Sequence, residues 1–347
     1  MSLYLIPFLI TFCLSTILAV FLNFLAGRVK WAPRKSKRHI HKNVVYRIGG
    51  LSMAISFIIG IFITKALVIS PELYGLMLVS AILTLIGFWD DIREIYWKMQ
   101  LFFQIAASFF MFIVGIRIYY VTNPFTGGVL NMESGVWVIL SVALVIFWSI
   151  MVINAINWLD GIDGLSGGVA IISALAILFL SLKGEVNQPP VAIICSIFIG
   201  SVLAFLVLNF NPARIFAGTS GSNFMGFVIA ALAVFSGTKI ATAILVMIIP
   251  ITDFVWVIGE RIRYKRSIFI PDNNHLHHKL LELGWSQRKI TSWYWAVTLA
   301  AGIIALNTRA IGKGVTIVGA AVIIVAVLVV VNKKIADQKK YAHASKI

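Results

Sequence analysis

Apolar runs close to twenty residues long recur along the whole chain, and that repetition constrains the fold more than any other feature. A helix needs about twenty apolar residues to cross the hydrocarbon of a bilayer. Of the 347 residues, 60% are hydrophobic and 12% charged. The mean hydropathy is +0.96, which a water-soluble globule does not reach. The runs predict an all-α polytopic membrane protein, read as one domain over 1–347 with eleven spans. They lie at roughly 3–26, 49–67, 74–89, 99–117, 136–155, 168–183, 190–208, 223–237, 240–258, 292–308 and 314–331. Shorter spans fit by tilt or local thinning. The first run has no basic segment before it and is too long for a signal-peptide core, so it is expected to be a retained helix.

The loops carry charge unequally. With loops assigned alternately to the two sides, 23 of the 29 Lys and Arg fall on one side and six on the other. That imbalance predicts a cytoplasmic basic side, the N-terminus outside and the C-terminus in the cytoplasm. Ten of the thirteen acids sort to the same side; Glu72, Glu133 and Glu185 do not. Polar chemistry is therefore expected at one membrane face. The net charge of +16 reads as orientation and attraction to anionic lipid, and no basic-aromatic module for nucleic acid is present. Cys13 and Cys195 both fall inside apolar runs and imply no disulfide framework.

Four polar stretches break this pattern. Residues 154–168 read N-A-I-N-W-L-D-G-I-D-G-L-S-G-G. On a helical turn Asn157, Asp160 and Asp163 would share one face. Such oxygen ligands suit a hard cation holding a phosphate, or else they cap the next helix. Asp90 and Asp91 end the third span; adjacent carboxylates call for a cation or a proton, unless they form a solvated pair beside Arg93. Residues 209–226 read N-F-N-P-A-R-I-F-A-G-T-S-G-S-N-F-M-G. Here a Gly- and Ser-rich turn opens a helix, offering N–H groups to an anion or simply a cap from Ser222 or Asn223. Residues 272–281 hold His275, His277 and His278. These could serve zinc, but their spacing and the basic loop fit a pyrophosphate better.

In this order and on one side of eleven spans, the motifs resemble the polyprenyl-phosphate N-acetylhexosamine-1-phosphate transferase superfamily, glycosyltransferase family 4. The resemblance rests on R-I-G-G at Arg47, D-D at Asp90, the stretch from Asn154, N-F-N-P-A-R-I-F from Asn209, and H-L-H-H-K-L-L-E-L-G-W-S-Q-R from His275. It is strongest to the bacterial branch that loads N-acetylglucosamine 1-phosphate onto undecaprenyl phosphate. It implies a plasma-membrane enzyme, acting on a UDP-N-acetylhexosamine and a polyprenyl phosphate among membrane lipids, at the start of cell-envelope polysaccharide synthesis. Mg²⁺, with Mn²⁺ as second choice, is the implied cofactor, and a homodimer is compatible with it.

The candidate catalytic residues are Asp90, Asp91, Asp160 and Asp163. The resemblance assigns Asp90 and Asp91 to the phosphoryl-transfer centre, Asp163 to the nucleotide and the three histidines to the pyrophosphate. Asn154, Lys98, Gln100, Asn209, Arg214, His275, His277, His278 and Arg47 are the candidate substrate-binding residues. Asn157 and Thr219 are the candidate metal ligands. Two positions depart from the family pattern. Thr219 stands where the family usually has a metal-binding Asp, and Gln100 where it usually has a basic residue, with Lys98 nearby as a substitute. These departures also fit an alternative: a homologue of low or no activity that binds polyprenyl phosphate or a nucleotide sugar.

Overall fold

In a computed structural model, residues 2–29, 45–122, 128–235, 240–268 and 274–344 are described. Thirteen helices run through them. They are α1 (Ser2–Arg28), α2 (Gly49–Ile63), α3 (Pro71–Ile92), α4 (Trp97–Ile113), α5 (Val136–Leu159), α6 (Leu165–Ser181) and α7 (Pro189–Asn209). They continue with α8 (Gly218–Val234), α9 (Ile240–Val246), α10 (Ile248–Arg263), α11 (Leu276–Glu282), α12 (Gln287–Asn307) and α13 (Ala310–Ala344). Six are long and apolar enough to cross a membrane, and α9 with α10 makes a seventh if the bent pair is one span. The shorter apolar helices are α2, α4, α6 and α8. The predicted ninth span is not one straight helix: α9 and α10 meet at 79°. The split between the eighth and ninth spans, expected at Gly237, Thr238 and Lys239, and most of the first basic loop lie outside the described residues.

Helix α1 is sorted inside out relative to a helix of a soluble protein. In α1 the inward positions are Pro7, Thr11, Ser15, Ala19 and Ala26, mostly one per turn and all small or polar. Leu9, Ile17, Phe21 and Phe24 point outward. Small residues let helices approach closely, and in lipid, which gives helices no hydrophobic drive to associate, that close packing helps to hold them together. Gly60 and Gly200 both face Thr11, and Ser15 Oγ donates to the Ser201 carbonyl of α7 at 2.9 Å.

Helix α8 is the axis. Every residue in it is buried except Thr219, which is half-buried. It packs on α2, α3 and α5 because glycines remove the obstacle at each crossing. A Cβ on Gly226 would come within 2.6 Å of Ile153 Cα, and one on Gly50 within 2.3 Å of the Gly221 nitrogen. Phe57, Phe198 and Phe224 lock α2, α7 and α8 with ring centroids 5.5–6.2 Å apart. Two short ribbons accompany the helices. β1 (Tyr46–Arg47) pairs in parallel with β4 (Ile215–Phe216), Arg47 opposite Phe216. β2 (Tyr120–Thr122) pairs antiparallel with β3 (Val129–Asn131). The first ribbon matters to the site, because it ties the end of the first basic loop to the entry of α8.

Candidate active site

The C-terminal ends of α3, α5 and α7 meet the N-terminal ends of α2 and α8 at one end of the bundle, and the polar stretches gather there. The sharp turn into α8 is the hub. Gly218 has φ +69°, and a Cβ on it would fall 2.3 Å from Asp91 Oδ2. The turn therefore lies against the Asp91 carboxylate, which accepts hydrogen bonds from the backbone N–H of Thr219 (2.9 Å) and Ser220 (3.1 Å) and from the Ser220 hydroxyl (3.0 Å). Arg47 Nη1 lies 3.3 Å away. This is an anion bound at a helix N-terminus, with the anion supplied by the protein itself. The helix starts at Gly218, four residues before the predicted cap at Ser222, so neither Ser222 nor Asn223 caps it. Ser222 instead takes a 2.7 Å hydrogen bond from Asn157 Nδ2.

Asp90 has different partners. Its Oδ1 accepts from the Ile95 N–H and from Gln100 Nε2, both at 2.9 Å, and its Oδ2 accepts from the Thr219 hydroxyl at 2.7 Å. Lys98 does not take this place. It is exposed, with its ammonium over the Trp97 and Tyr96 rings.

Asp160 and Asp163 do not share a helical face. Helix α5 stops at Leu159, and Gly164, left-handed at φ +76°, caps the start of α6. The intervening glycine turn sends the two carboxylates apart. Asp160 accepts from Ser166 Oγ at 2.7 Å and lies within the influence of Arg47, Asp91 and the Gly218 N–H. Its carboxyl is pushed up to about 7, by burial above all and by the Asp91 charge, against the pull of Ser166 and Arg47. Asp163 turns the other way. It accepts from Asn211 Nδ2 (2.9 Å) and the Ala213 N–H (3.0 Å), while its carbonyl takes the Thr291 hydroxyl of α12. Asn209 stitches the same corner, accepting from Gly164 N–H and donating to the Ile215 carbonyl, both at 2.8 Å. Arg214 is exposed beside it. Asn154 sits one turn before Asn157, bonded to Gln104 of α4 at 2.8 Å.

The histidines form a stack against the glycine turn. The ring centroids of His275 and His277 are 5.7 Å apart and those of His277 and His278 4.3 Å. A Cβ on Gly161 would lie 3.2 Å from Nε2 of both His277 and His278. His275 Nδ1 meets Asp253 Oδ2 at 2.9 Å, and Asp253 Oδ1 accepts the Leu276 N–H. The carboxylate accepts only, so it fixes the proton on Nδ1. His277 is fully buried, with neither ring nitrogen hydrogen-bonded within the described residues. Its pKa is held well below the usual histidine value by burial first and then by its two histidine neighbours, so it is neutral at pH 7. Trp158 joins the groups, its ring tilted against His275 at 4.5 Å and beneath the Arg261 guanidinium at 5.3 Å.

The structure thus brings together Arg47, Asp90, Asp91, Gln100, Asn157, Asp160 and Thr219, with the histidines over the Gly161 turn. Asp163 and Asn209 hold the adjoining corner, and Lys98 and Arg214 stay at the surface. Ser166, Ser220, Ser222, Trp158 and Asp253 are added by the fold. Asp253 carried a signal, an acid inside an apolar run, and Ser220 and Ser222 lie in the Gly- and Ser-rich turn already singled out; Ser166 and Trp158 carried none of their own. Among the described residues no cluster of three His, Cys, Asp or Glu is set to hold a metal. The oxygens of Asn157 and Thr219 beside the Asp91 and Asp160 carboxylates nevertheless fit a hard divalent cation. They are all oxygen donors, the kind a hard cation takes.

Residues 73–237 match the model of glycosyl transferase family 4. The chain belongs to this family, the polyprenyl-phosphate N-acetylhexosamine-1-phosphate transferases, and is a multi-pass membrane protein. It is 31% identical over 335 residues to the decaprenyl-phosphate N-acetylglucosaminephosphotransferase of Mycobacterium leprae, covering 86% of this chain and 83% of that one. It is 27% identical to a probable undecaprenyl-phosphate N-acetylglucosaminyl 1-phosphate transferase of Bacillus subtilis, covering 82% and 78%. It is 32% identical over 287 residues to the phospho-N-acetylmuramoyl-pentapeptide-transferase of Limosilactobacillus reuteri, covering 78% and 85%.

Proposed function

We propose that the protein transfers N-acetylglucosamine 1-phosphate from its UDP-sugar to undecaprenyl phosphate in the bacterial plasma membrane. An oxygen of the lipid phosphate attacks the sugar-linked phosphorus. The bond from that phosphorus to the bridging oxygen breaks, and UMP leaves with the oxygen. The products are UMP and the lipid-linked pyrophosphoryl sugar. The single observation that carries this is the convergence of Arg47, Asp91, Asp160 and Thr219 on the turn at Gly218, within a membrane bundle of this family. The relatives named for N-acetylglucosamine support the sugar, and those named for undecaprenyl and decaprenyl phosphate support the lipid.

A phosphate monoester is already largely ionised near neutral pH, so the attacking oxygen needs little help from a base. Positioning and charge neutralisation then supply most of the acceleration. Arg47 is poised to receive a phosphate while holding Asp91. His275, oriented by Asp253, neutral His277, and His278 would donate or accept at the pyrophosphate. Asn157 and Thr219 would hold Mg²⁺, or Mn²⁺ in its place, which when bound neutralises pyrophosphate charge. Eleven spans, with the site at the cytoplasmic face, accommodate a water-soluble donor and a lipid acceptor at one boundary.

Purified protein with undecaprenyl phosphate and Mg²⁺ is expected to release UMP from UDP-N-acetylglucosamine faster than from UDP-N-acetylgalactosamine or UDP-N-acetylmuramoyl-pentapeptide. Preference for the pentapeptide donor would overturn the sugar assignment, and no release from any donor would favour a binding protein without turnover.

A further inference from the structure

Asp90 and Asp91 are neighbours in one buried corner, yet they are supported by opposite means. Asp91 has a cation, Arg47, as well as neutral donors. The Asp90 side chain takes its three hydrogen bonds from groups without charge: the Ile95 N–H, the Gln100 amide and the Thr219 hydroxyl. A carboxylate only accepts, so it orients both side chains. The Gln100 nitrogen faces it, and the Thr219 hydrogen is committed to it. Thr219 is also the one residue of α8 that is not buried. With its hydrogen spent on Asp90, its oxygen is left to accept on the open side, from a cation or from a donor on the substrate.

Gln100 and Thr219 are far apart in the chain, and they are the two positions at which it departs from the pattern it resembles. They meet on this one carboxylate. An acid at 219 would bring a second negative charge to the place where the Thr219 hydroxyl now sits, 2.7 Å from Asp90, and like charges so close repel strongly in a buried site. A cation at 100 would relieve it. Lacking the acid and lacking the cation are therefore a single exchange that leaves the net charge of the corner unchanged.

We infer that Gln100 and Thr219 are a matched pair of positioning residues, an uncharged clamp on Asp90, and that neither can take the charged residue alone. The clamp accounts for an intact site without an acid at 219.

A double-mutant cycle on the full-length protein in lipid nanodiscs tests this, reading thermal midpoint and transfer rate for wild type, Thr219→Asp, Gln100→Lys and the double variant. Thr219→Asp is expected to lower the midpoint and to slow transfer about tenfold or more. Adding Gln100→Lys to it should recover about tenfold in rate and most of the midpoint, a gain absent when Gln100→Lys is made in wild type. Recovery of a folded double variant where Thr219→Asp alone fails to accumulate is the same rescue. Thr219→Ser, which keeps the hydroxyl, should lose less rate than Thr219→Val. Equal effects of Thr219→Asp in both backgrounds, or a faster enzyme from Thr219→Asp alone, would overturn the pairing. The rate arm rests on the transfer reaction proposed above. The midpoint arm does not, so an inactive wild type would count against that reaction and leave the cycle to decide the clamp.

Discussion

Asp160 is the residue whose chemistry is least settled by its protein partners. Arg47 and Ser166 favour its charged form, but burial and the Asp91 charge prevail and carry its carboxyl up to about 7. In the unfolded chain it titrates near the ordinary value of about 3.9. Between those values the folded protein holds a proton that the unfolded chain has released. The contribution of Asp160 to stability is therefore complete below about pH 4 and is lost as pH rises through about 7. With a chelator present, the thermal midpoint of wild type should fall between pH 5.5 and 7.5 by more than that of Asp160→Asn, whose side chain stays neutral. Parallel curves for the two proteins would show that this carboxyl is ionised throughout.

At the scale of elements, the helix crossings decide where the site residues stand. Asn157 lies one turn beyond Ile153 on α5, and Gly226 lets α8 touch the Ile153 backbone. Gly226→Ala has no flexible side chain to push aside, so α5 and α8 must separate. Such overpacking typically costs about 1–3 kcal/mol. The midpoint should drop by several degrees, and transfer should fall further than the loss of folded protein explains, because the Asn157–Ser222 contact is stretched. Unchanged rate and midpoint would mean that this crossing is looser than drawn.

Much at this scale was legible in the sequence. Among the described residues each of the eleven apolar runs overlaps a helix, although only six helices, or seven with the bent pair, are long and apolar enough to span; the polar stretches lie at helix ends, because a lipid environment leaves few other uses for such residues. What the sequence hid was direction. The period that placed Asp160 and Asp163 on one face ignored the glycine turn: α5 already stops at Leu159, and α6 begins only after the left-handed Gly164. The parallel pairing of Tyr46–Arg47 with Ile215–Phe216 is too short for any strand signal, yet it delivers Arg47 to Asp91. The 79° break between α9 and α10 did carry a mark, Pro250 in the first turn of α10, because proline cannot continue a preceding helix.

For the whole molecule, the alternation of loops expected from the sequence puts most Lys and Arg on the side where the ends of α3, α5 and α7 meet Arg47 and the carboxylates, and by that expectation the site faces the cytoplasm. A reporter enzyme fused after Ile347 is expected to be active only in the cytoplasm, and protease added outside intact cells should not cut at residues 264–268. Cleavage there would invert the topology.

The central claim is that a phosphate travels with the sugar. UDP-N-acetylglucosamine labelled separately in the sugar and in the sugar-linked phosphate, given to purified protein with undecaprenyl phosphate and Mg²⁺, tests it directly. Both labels should enter the lipid fraction in equal amounts, matched by UMP in the aqueous phase. Sugar label in the lipid without phosphate label, with UDP released instead, would contradict the account.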